Sequence, residues 1–336
     1  MTVPPQVSIV MTTFNSAATL EACLNSVAAV DYAPLEVVIA DNASTDGTRE
    51  ILGRFAPRFR IICNDGNRGF AAAQNQAIRE SHGEWVLSLN PDILLSPNFV
   101  SELMAAAEAK PSVGSLAGKL LRWAPGQPEE RTRVVDSAGI WFARNLRHFD
   151  RGAEELDRGQ YDELAYVFGA TGAAAMYRRR MIDDISINQE FFDEDFFAYR
   201  EDADLSWRAQ LMGWECLYVP AAVAWHVRRV TPERRGQLPF IINWHSVKNR
   251  FLMRAKNISR PLYLRLIFPV TWRDLQIVGY CVLRDWKYLS ALAYVWKRRA
   301  ALRVKRRQVQ GRRQVSDSQL ARWFSDCPVS FPAVRN

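Results

Sequence analysis

The chain has 336 residues, 48% of them hydrophobic, and a formal net charge of +8. That length can bury a sizeable core, as one large domain or two smaller ones. Ordinary Gly and Pro contents exclude a largely disordered chain, and five scattered cysteines without a CxxC pair or Cys/His cluster exclude a zinc site or a disulfide framework.

The opening MTVPPQVSIV has no basic stretch leading into a long apolar run, so it does not read as a signal peptide. A reducing cytosolic setting fits the cysteine usage. Val7–Met11 is a short apolar run that predicts a strand, followed by a helix near Ala17–Val27. Glu36–Ala40 predicts a second strand, with a helix opening near Ser44, where STDG offers capping and turn residues. Arg60–Cys63 reads as a third strand, Phe70–Glu80 as a helix and Trp85–Leu89 as a fourth strand. Near-continuous apolar strands with helices between them predict an α/β fold with a mainly parallel, Rossmann-like sheet covered on both faces.

Beyond about residue 110 the rhythm changes. Charged loops near Gln127–Arg133 and Arg151–Asp162 bracket a strand region at Val134–Phe142. The small-residue segment Phe168–Tyr177 leads into a helix, and Phe191–Trp214 has helical spacing in its second half. A last strand at Glu215–Val219 is expected to end at Pro220. From Phe240 the chain is helical, aromatic and basic, with charges that interrupt every apolar run well short of the roughly 20 residues a membrane span needs. Nine Lys or Arg and no acid lie between Lys297 and Arg313, so the net charge is assigned to a basic tail. The expected division is a catalytic unit over 1–238, with a nucleotide-binding half over 1–110 and an acceptor half over 111–238, followed by an extension over 239–336.

Chemistry is concentrated where strands end. In an open α/β sheet, ligands bind beyond the carboxyl ends of the strands. TTFN, DNASTDG, NDGNRG and NPD follow the first four strands in turn. Asp41 can accept from a pyrimidine N–H or a ribose hydroxyl, or serve a turn; Asp46 reads as turn and N-cap. Arg68 can reach a phosphate or a base, or simply be solvated. Asp92, delivered by WVLSL, can hold a divalent cation against a diphosphate, or cap a helix. Asp202 stands where FFAY passes into a helix and can act as a general base toward a hydroxyl; the alternative is an acidic helix start.

In order, VSIVMTTFNSAATL, VVIADNASTDGT, NRGFAAAQNQAI, LSLNPDILL, GATGAAAMYRR and FDEDFFAYREDADLSWRAQLMGW resemble the family 2 glycosyltransferases of GT-A fold, over roughly Val7 to His226. The resemblance implies an inverting transfer from a nucleoside-diphosphate sugar to a hydroxyl acceptor, assisted by Mg²⁺ or Mn²⁺. It implies that Thr13 and Asp41 hold the nucleoside, with Arg68 beside them, and that Asp92 is the last acid of the family's DxD motif. Asn90 replaces the first acid, which weakens the metal site; His226 is a further candidate ligand. Asp202 would be the base and Glu201 its acceptor-binding neighbour, with Gly172 and Ala173 lining the cleft. Trp207 and Arg208 fall where the family often has a helical motif, without a QxxRW here. The sequence looks most like bacterial rhamnosyltransferases, which favours dTDP-L-rhamnose over a UDP- or GDP-sugar, and a glycan or polyprenyl-diphosphate-linked acceptor of a cell-surface polysaccharide.

Three further expectations concern partners. A dehydrogenase would need GxGxxG after the first strand, and TTFNSAATL has no glycine. The basic stretch is compatible with nucleic acid in a non-catalytic protein, which would leave the other motifs without a role. The aromatic, basic C-terminal region suits an anionic membrane surface at the inner face of the cytoplasmic membrane, or else packing on the catalytic unit or in a homodimer.

Overall fold

The computed structural model describes residues 4–108, 110–123, 132–228 and 239–332. The first half runs β1 (Val7–Thr13), α1 (Ala17–Ala28), β2 (Leu35–Asp41), α2 (Thr48–Phe55), β3 (Arg60–Cys63), α3 (Phe70–Arg79), β4 (Trp85–Leu89), β5 (Ile93–Leu95) and α4 (Phe99–Ala107). Short strands follow: β6 (Val113–Arg122), β7 (Val135–Ser137), β8 (Ile140–Phe142), β9 (His148–Asp150), β10 (Ala165–Val167) and β11 (Ala174–Arg178). Then come α5 (Arg179–Ile185), α6 (Glu201–Leu211) and β12 (Glu215–His226). The C-terminal part is α7 (Phe240–Asn257), α8 (Arg260–Arg265), α9 (Ile267–Leu283), α10 (Leu289–Lys297), α11 (Arg299–Gly311), α12 (Asp317–Ala321) and β13 (Phe331–Pro332).

Among the described residues the main sheet has 11 strands, in the order β13-β10-β12-β6-β11-β4-β1-β2-β3, with β5 and β7 attached at its side. β1 lies parallel to β2 and β4, and β2 parallel to β3, as the apolar runs predict. Both faces of this half are covered. Val7, Ile9 and Met11 of β1 join one apolar cluster with α1 and α4, while Val10 joins a second with α3 and α6. Side chains that alternate faces along a strand, all buried, require helices above and below. A third cluster joins Phe142, Phe168 and Trp207 to Leu252, Val270, Leu302 and Phe324, so the C-terminal helices share a core with α6.

Four expectations shift. The helix after STDG begins at Thr48, because the Ser44 hydroxyl donates to Asp41 rather than capping a helix. The Val134–Phe142 region is two short strands, β7 and β8. The last strand does not stop at Pro220: β12 continues to His226, with its register against β6 slipping between Val219 and Val223, an irregularity that accommodates a residue without an N–H. The basic stretch is not a tail but helix α11 and its flanks, and its Lys305 is buried against Asp193 and Asp195. The expected loop at residues 127–131 and the expected boundary at 238 lie outside the described residues.

Candidate active site

The end of β1 and the end of β2 form a floor. Thr13 and Asp41 are fully buried, and the Thr13 hydroxyl donates to Asp41 Oδ1 at 2.9 Å. Asp41 also accepts from the Ser44 hydroxyl (2.5 Å), the Ser44 N–H (3.1 Å) and Arg49 Nε (2.9 Å). Burial alone would push this carboxyl up, but the bonds from Ser44, Arg49 and Thr13 outweigh it and hold Asp41 below the usual range, ionised. Asp41 thus spends its oxygens tying the first two loops together. Asp46 behaves as a turn residue, accepting from the N–H groups of Thr48 (3.0 Å) and Ala17 (3.1 Å), the entrances of α2 and α1. From the third loop, Gly69 sits at φ +84°, where a Cβ would lie 2.5 Å from the Phe197 ring, so glycine is needed both for the backbone and for the approach. Arg68 beside it is exposed at the surface.

β4 presents Asn90 and Asp92. His226, at the end of β12, lies with Nε2 3.5 Å from Asp92 Oδ1 and Nδ1 2.7 Å from Asp136 Oδ2. Asp136 in turn takes Arg122 Nε at 2.9 Å and Arg228 at 3.3 Å, and Arg228 reaches Asp150 at 2.6 Å. Burial would lower the imidazole's affinity for a proton, but the bonds and charges of Asp136 and Asp92 raise its pKa to about 9. A histidine oriented through Nδ1 by a carboxylate, with Nε2 turned to a second carboxylate, suits a divalent cation once that cation displaces the Nε2 proton. Among the described residues no group of three or more His, Cys, Asp or Glu is placed to hold a metal ion, so Asp92 and His226 could supply only part of a coordination sphere and further oxygens would have to come from outside the chain.

The third component is the start of α6. Asp202 Oδ2 accepts from the Gly172 N–H at 3.0 Å, and the neighbouring Asn90 N–H donates to the Ala173 carbonyl at 2.8 Å. β4 and β11 pair antiparallel, with Leu89 opposite Ala174, which places the NPD loop and the Gly172–Ala173 turn side by side. A Cβ at Gly172 would approach the Asp202 Cβ to 3.3 Å, so the small residue permits that contact. Burial raises the pKa of Asp202, with Asp150 adding to it and the Gly172 N–H and Arg200 opposing. Glu201 is buried deeper, its Oε2 without a partner among the described residues, and burial with the Asp202 charge lifts its pKa to about 8. Trp207 and Arg208 are core residues: Trp207 packs on Phe142 and Phe324, and Arg208 donates to Asp204 and to the carbonyls of Ile185 and Phe191.

A cavity of about 350 Å³ opens beside the NPD loop, lined by Thr12, Asn42, Asn67, Gly69, Asn90 and Asp92, with Tyr199 and, from α7, His245 on the other side; of the expected site residues, Asn90 and Asp92 line it, and Thr13, Asp41, Asp202 and His226 stand outside its lining. Its far wall is strained. Phe197, Tyr199 and Arg200 all have φ between +66° and +71°, just before the helix that carries Asp202. Asn249 of α7 holds this segment, its amide donating to the carbonyls of Phe196, Ala198 and Tyr199 at 3.0, 2.8 and 2.7 Å. The sequence reading missed α7's part in the site, for NWHSVKN has no feature of its own that points to a pocket. Asp136 did leave a signal, an acid inside the apolar run VVDSAGI.

The mixed sheet, with parallel core strands, polar loops at one edge and a helical C-terminal region, is the GT-A glycosyltransferase architecture. The mannosyltransferase PcManGT from Pyrobaculum calidifontis, solved with GDP-Man and Mn2+, matches with a TM-score of 0.52 at 20% identity, over 89% of this chain and 76% of that one. S. aureus TarS matches over 91% of this chain and 88% of that one, with a TM-score of 0.52 at 16% identity. Residues 8–186 match the model of Glycosyl transferase family 2, and the chain belongs to that family. Among its relatives is the N-acetylglucosaminyl-diphospho-decaprenol L-rhamnosyltransferase of Mycobacterium tuberculosis, 29% identical over 238 residues, which are 65% of this chain and 75% of that protein. Another is the N-acetylglucosaminyltransferase of Azorhizobium caulinodans, 28% identical over 287 residues, 81% of this chain and 66% of that one.

Proposed function

We propose that this glycosyltransferase moves a sugar with inversion from a nucleoside-diphosphate donor, dTDP-L-rhamnose in preference, to a hydroxyl of a glycan or polyprenyl-diphosphate-linked acceptor in bacterial cell-surface polysaccharide synthesis. One observation carries the reading: Asp202 and the loop bearing Asp92 are joined through Gly172, Ala173 and Asn90 by two hydrogen bonds. That proximity supports Asp202 as base and Asp92 as part of the leaving-group site, next to a cavity of about 350 Å³ that Asp92 lines.

In the proposed step Asp202 takes the acceptor's hydroxyl proton, the oxygen attacks the anomeric carbon, and the bond from that carbon to phosphate oxygen breaks with its electron pair leaving on the diphosphate. Thr13 and Asp41 fix the floor under the nucleoside, and Arg68, exposed between the cavity-lining Asn67 and Gly69, reaches toward phosphate. Asn90, Gly172 and Ala173 shape the sugar end, and Glu201 backs Asp202 as a neutral acid. A Mg²⁺ or Mn²⁺ ion, held by Asp92 and His226, would neutralise charge on the leaving diphosphate.

The name of the M. tuberculosis relative supports the rhamnosyl donor and a lipid-linked acceptor. A second reading is the same chemistry with a UDP- or GDP-sugar; the name of the A. caulinodans relative favours an N-acetylglucosaminyl group over rhamnosyl as the sugar moved. A panel of nucleotide sugars, read by nucleoside diphosphate release with and without EDTA, separates them. Asp202→Asn should lower transfer by roughly 10²–10⁴-fold while nucleotide affinity stays near wild type. Equal loss of both would remove Asp202 from the role of base.

A further inference from the structure

Helix α9 wears its apolar stripe on the outside. Val270 and Cys281 are its buried positions, and Asp274 turns inward to Arg250 and Arg254. On the solvent side Phe268, Trp272, Leu275 and Val282 recur at helical spacing, and Leu283 and Trp286 continue the row. Phe268 is 85% exposed, Leu283 83%, Trp286 72% and Trp272 65%. Single exposed apolar residues are unremarkable, but a contiguous row of this kind marks a surface that meets something other than water. Flanking it in the chain stand Arg265, Arg284 and Lys287, all exposed and none paired with a carboxylate among the described residues.

We infer that this face of α9 and the start of α10 docks on an anionic lipid bilayer. A second copy of the chain is the poorer occupant, because a two-fold contact would set these cations against their own copies. Large aromatic rings fringed by Lys and Arg suit the headgroup region, where rings enter the acyl boundary and cations meet lipid phosphates. No described helix is long and apolar enough to cross a membrane, so the contact is one of lying on the surface. The face also adjoins the catalytic cavity. Phe240 stacks on Tyr288 at 4.9 Å, and the next residues of α7, Ile241 and Ile242, line the cavity wall. Docking would therefore hold the cavity close to the bilayer, where a lipid-linked acceptor resides. This purpose rests on the proposed acceptor; the docking itself does not.

The test uses the full-length protein without nucleotide sugar, so its outcome is separate from that of the transfer assay. Vesicles of phosphatidylcholine alone, or mixed with phosphatidylglycerol, are sedimented with wild type, with the Phe268→Ser, Trp272→Ser, Leu283→Ser, Trp286→Ser variant, and with an Arg265→Glu, Arg284→Glu, Lys287→Glu variant. Wild type should partition onto the anionic vesicles, weakened by salt, and each variant should lose about tenfold or more of that binding. Circular dichroism checks that each variant is folded; should the serine variant not fold, the charge reversal, which leaves the stripe intact, decides. Binding that ignores lipid charge, or folded variants that pellet as wild type does, overturns the inference. So does a wild-type dimer in sedimentation equilibrium that the serine variant dissolves while no vesicle binding is seen.

Discussion

Glu201 and Asp202 are adjacent in sequence and held in different settings. Asp202 is half-buried, with Oδ2 on the Gly172 N–H and Oδ1 on the Ala203 N–H, whereas Glu201 is buried with Oε2 unpartnered among the described residues. Asp202, its pKa raised chiefly by burial, must lose its proton to serve as a base, so kcat/KM should rise with pH along a limb that lies above the ordinary aspartate value. A pH profile lacking that limb would count against the assignment. Glu201 bears on stability. Its carboxyl is lifted to about 8 in the fold and ionises near the ordinary value of about 4.3 when unfolded. The folded state then holds the extra proton between those values, so this contribution is complete at acid pH and is lost as pH climbs toward about 8. Glu201→Gln has no such proton to lose, and its urea midpoint should decline less than that of wild type over this interval; parallel declines would refute the linkage. At this scale the sequence showed the acids well and their surroundings poorly. Asp92 and Asp202 stood out because one follows an apolar strand and the other an aromatic stretch, although each position is also one where an acid ordinarily caps or opens a helix. The saturation of Asp41 by Ser44, Thr13 and Arg49 depends on contacts across two loops, which no local pattern displays.

Among the elements, β1, β2 and β4 were readable because their burial on both faces leaves continuous apolar runs, while β3, the partly exposed edge strand, left only the short run RIIC. β11 was not, since Ala174 and Ala175 become a strand only by pairing with β4 on one side and β6 on the other. β12 looked finished at Pro220 because the slip that carries it onward belongs to its pairing with β6. The part of α7 in the site was hidden for the same reason: Asn249 acts on carbonyls some fifty residues earlier in the chain. Its amide restrains the positive-φ segment that precedes α6, so Asn249→Ala should leave those carbonyls short of donors. We expect a cost of about 1–3 kcal/mol in stability and a fall in kcat larger than any rise in donor KM. A variant with wild-type kcat would show that the segment holds its shape unaided.

Across the whole molecule, the catalytic and C-terminal parts are joined by a buried ionic network as well as by the shared apolar cluster. Lys256 of α7, fully buried, pairs with Asp193 and with Asp204 of α6, and Lys305 of α11 closes on Asp193 and Asp195. Coulomb attraction from Lys256 and Lys305 overcomes burial and holds Asp193 well below the usual carboxylate range. Lys256→Ala would strand buried charge, and equilibrium unfolding in urea should register a loss of about 3–5 kcal/mol. A loss under about 1 kcal/mol, the scale of a surface pair, would mean that the network is dispensable.

That network also sets rules for anyone building chimaeras. Joining this N-terminal half to the helices of a relative would leave Asp193 and Asp204 facing whatever the foreign α7 and α11 supplied. A graft would have to transplant α6, α7 and α11 as one unit, and donor selectivity could be re-engineered separately in the loops on the opposite side of the cavity.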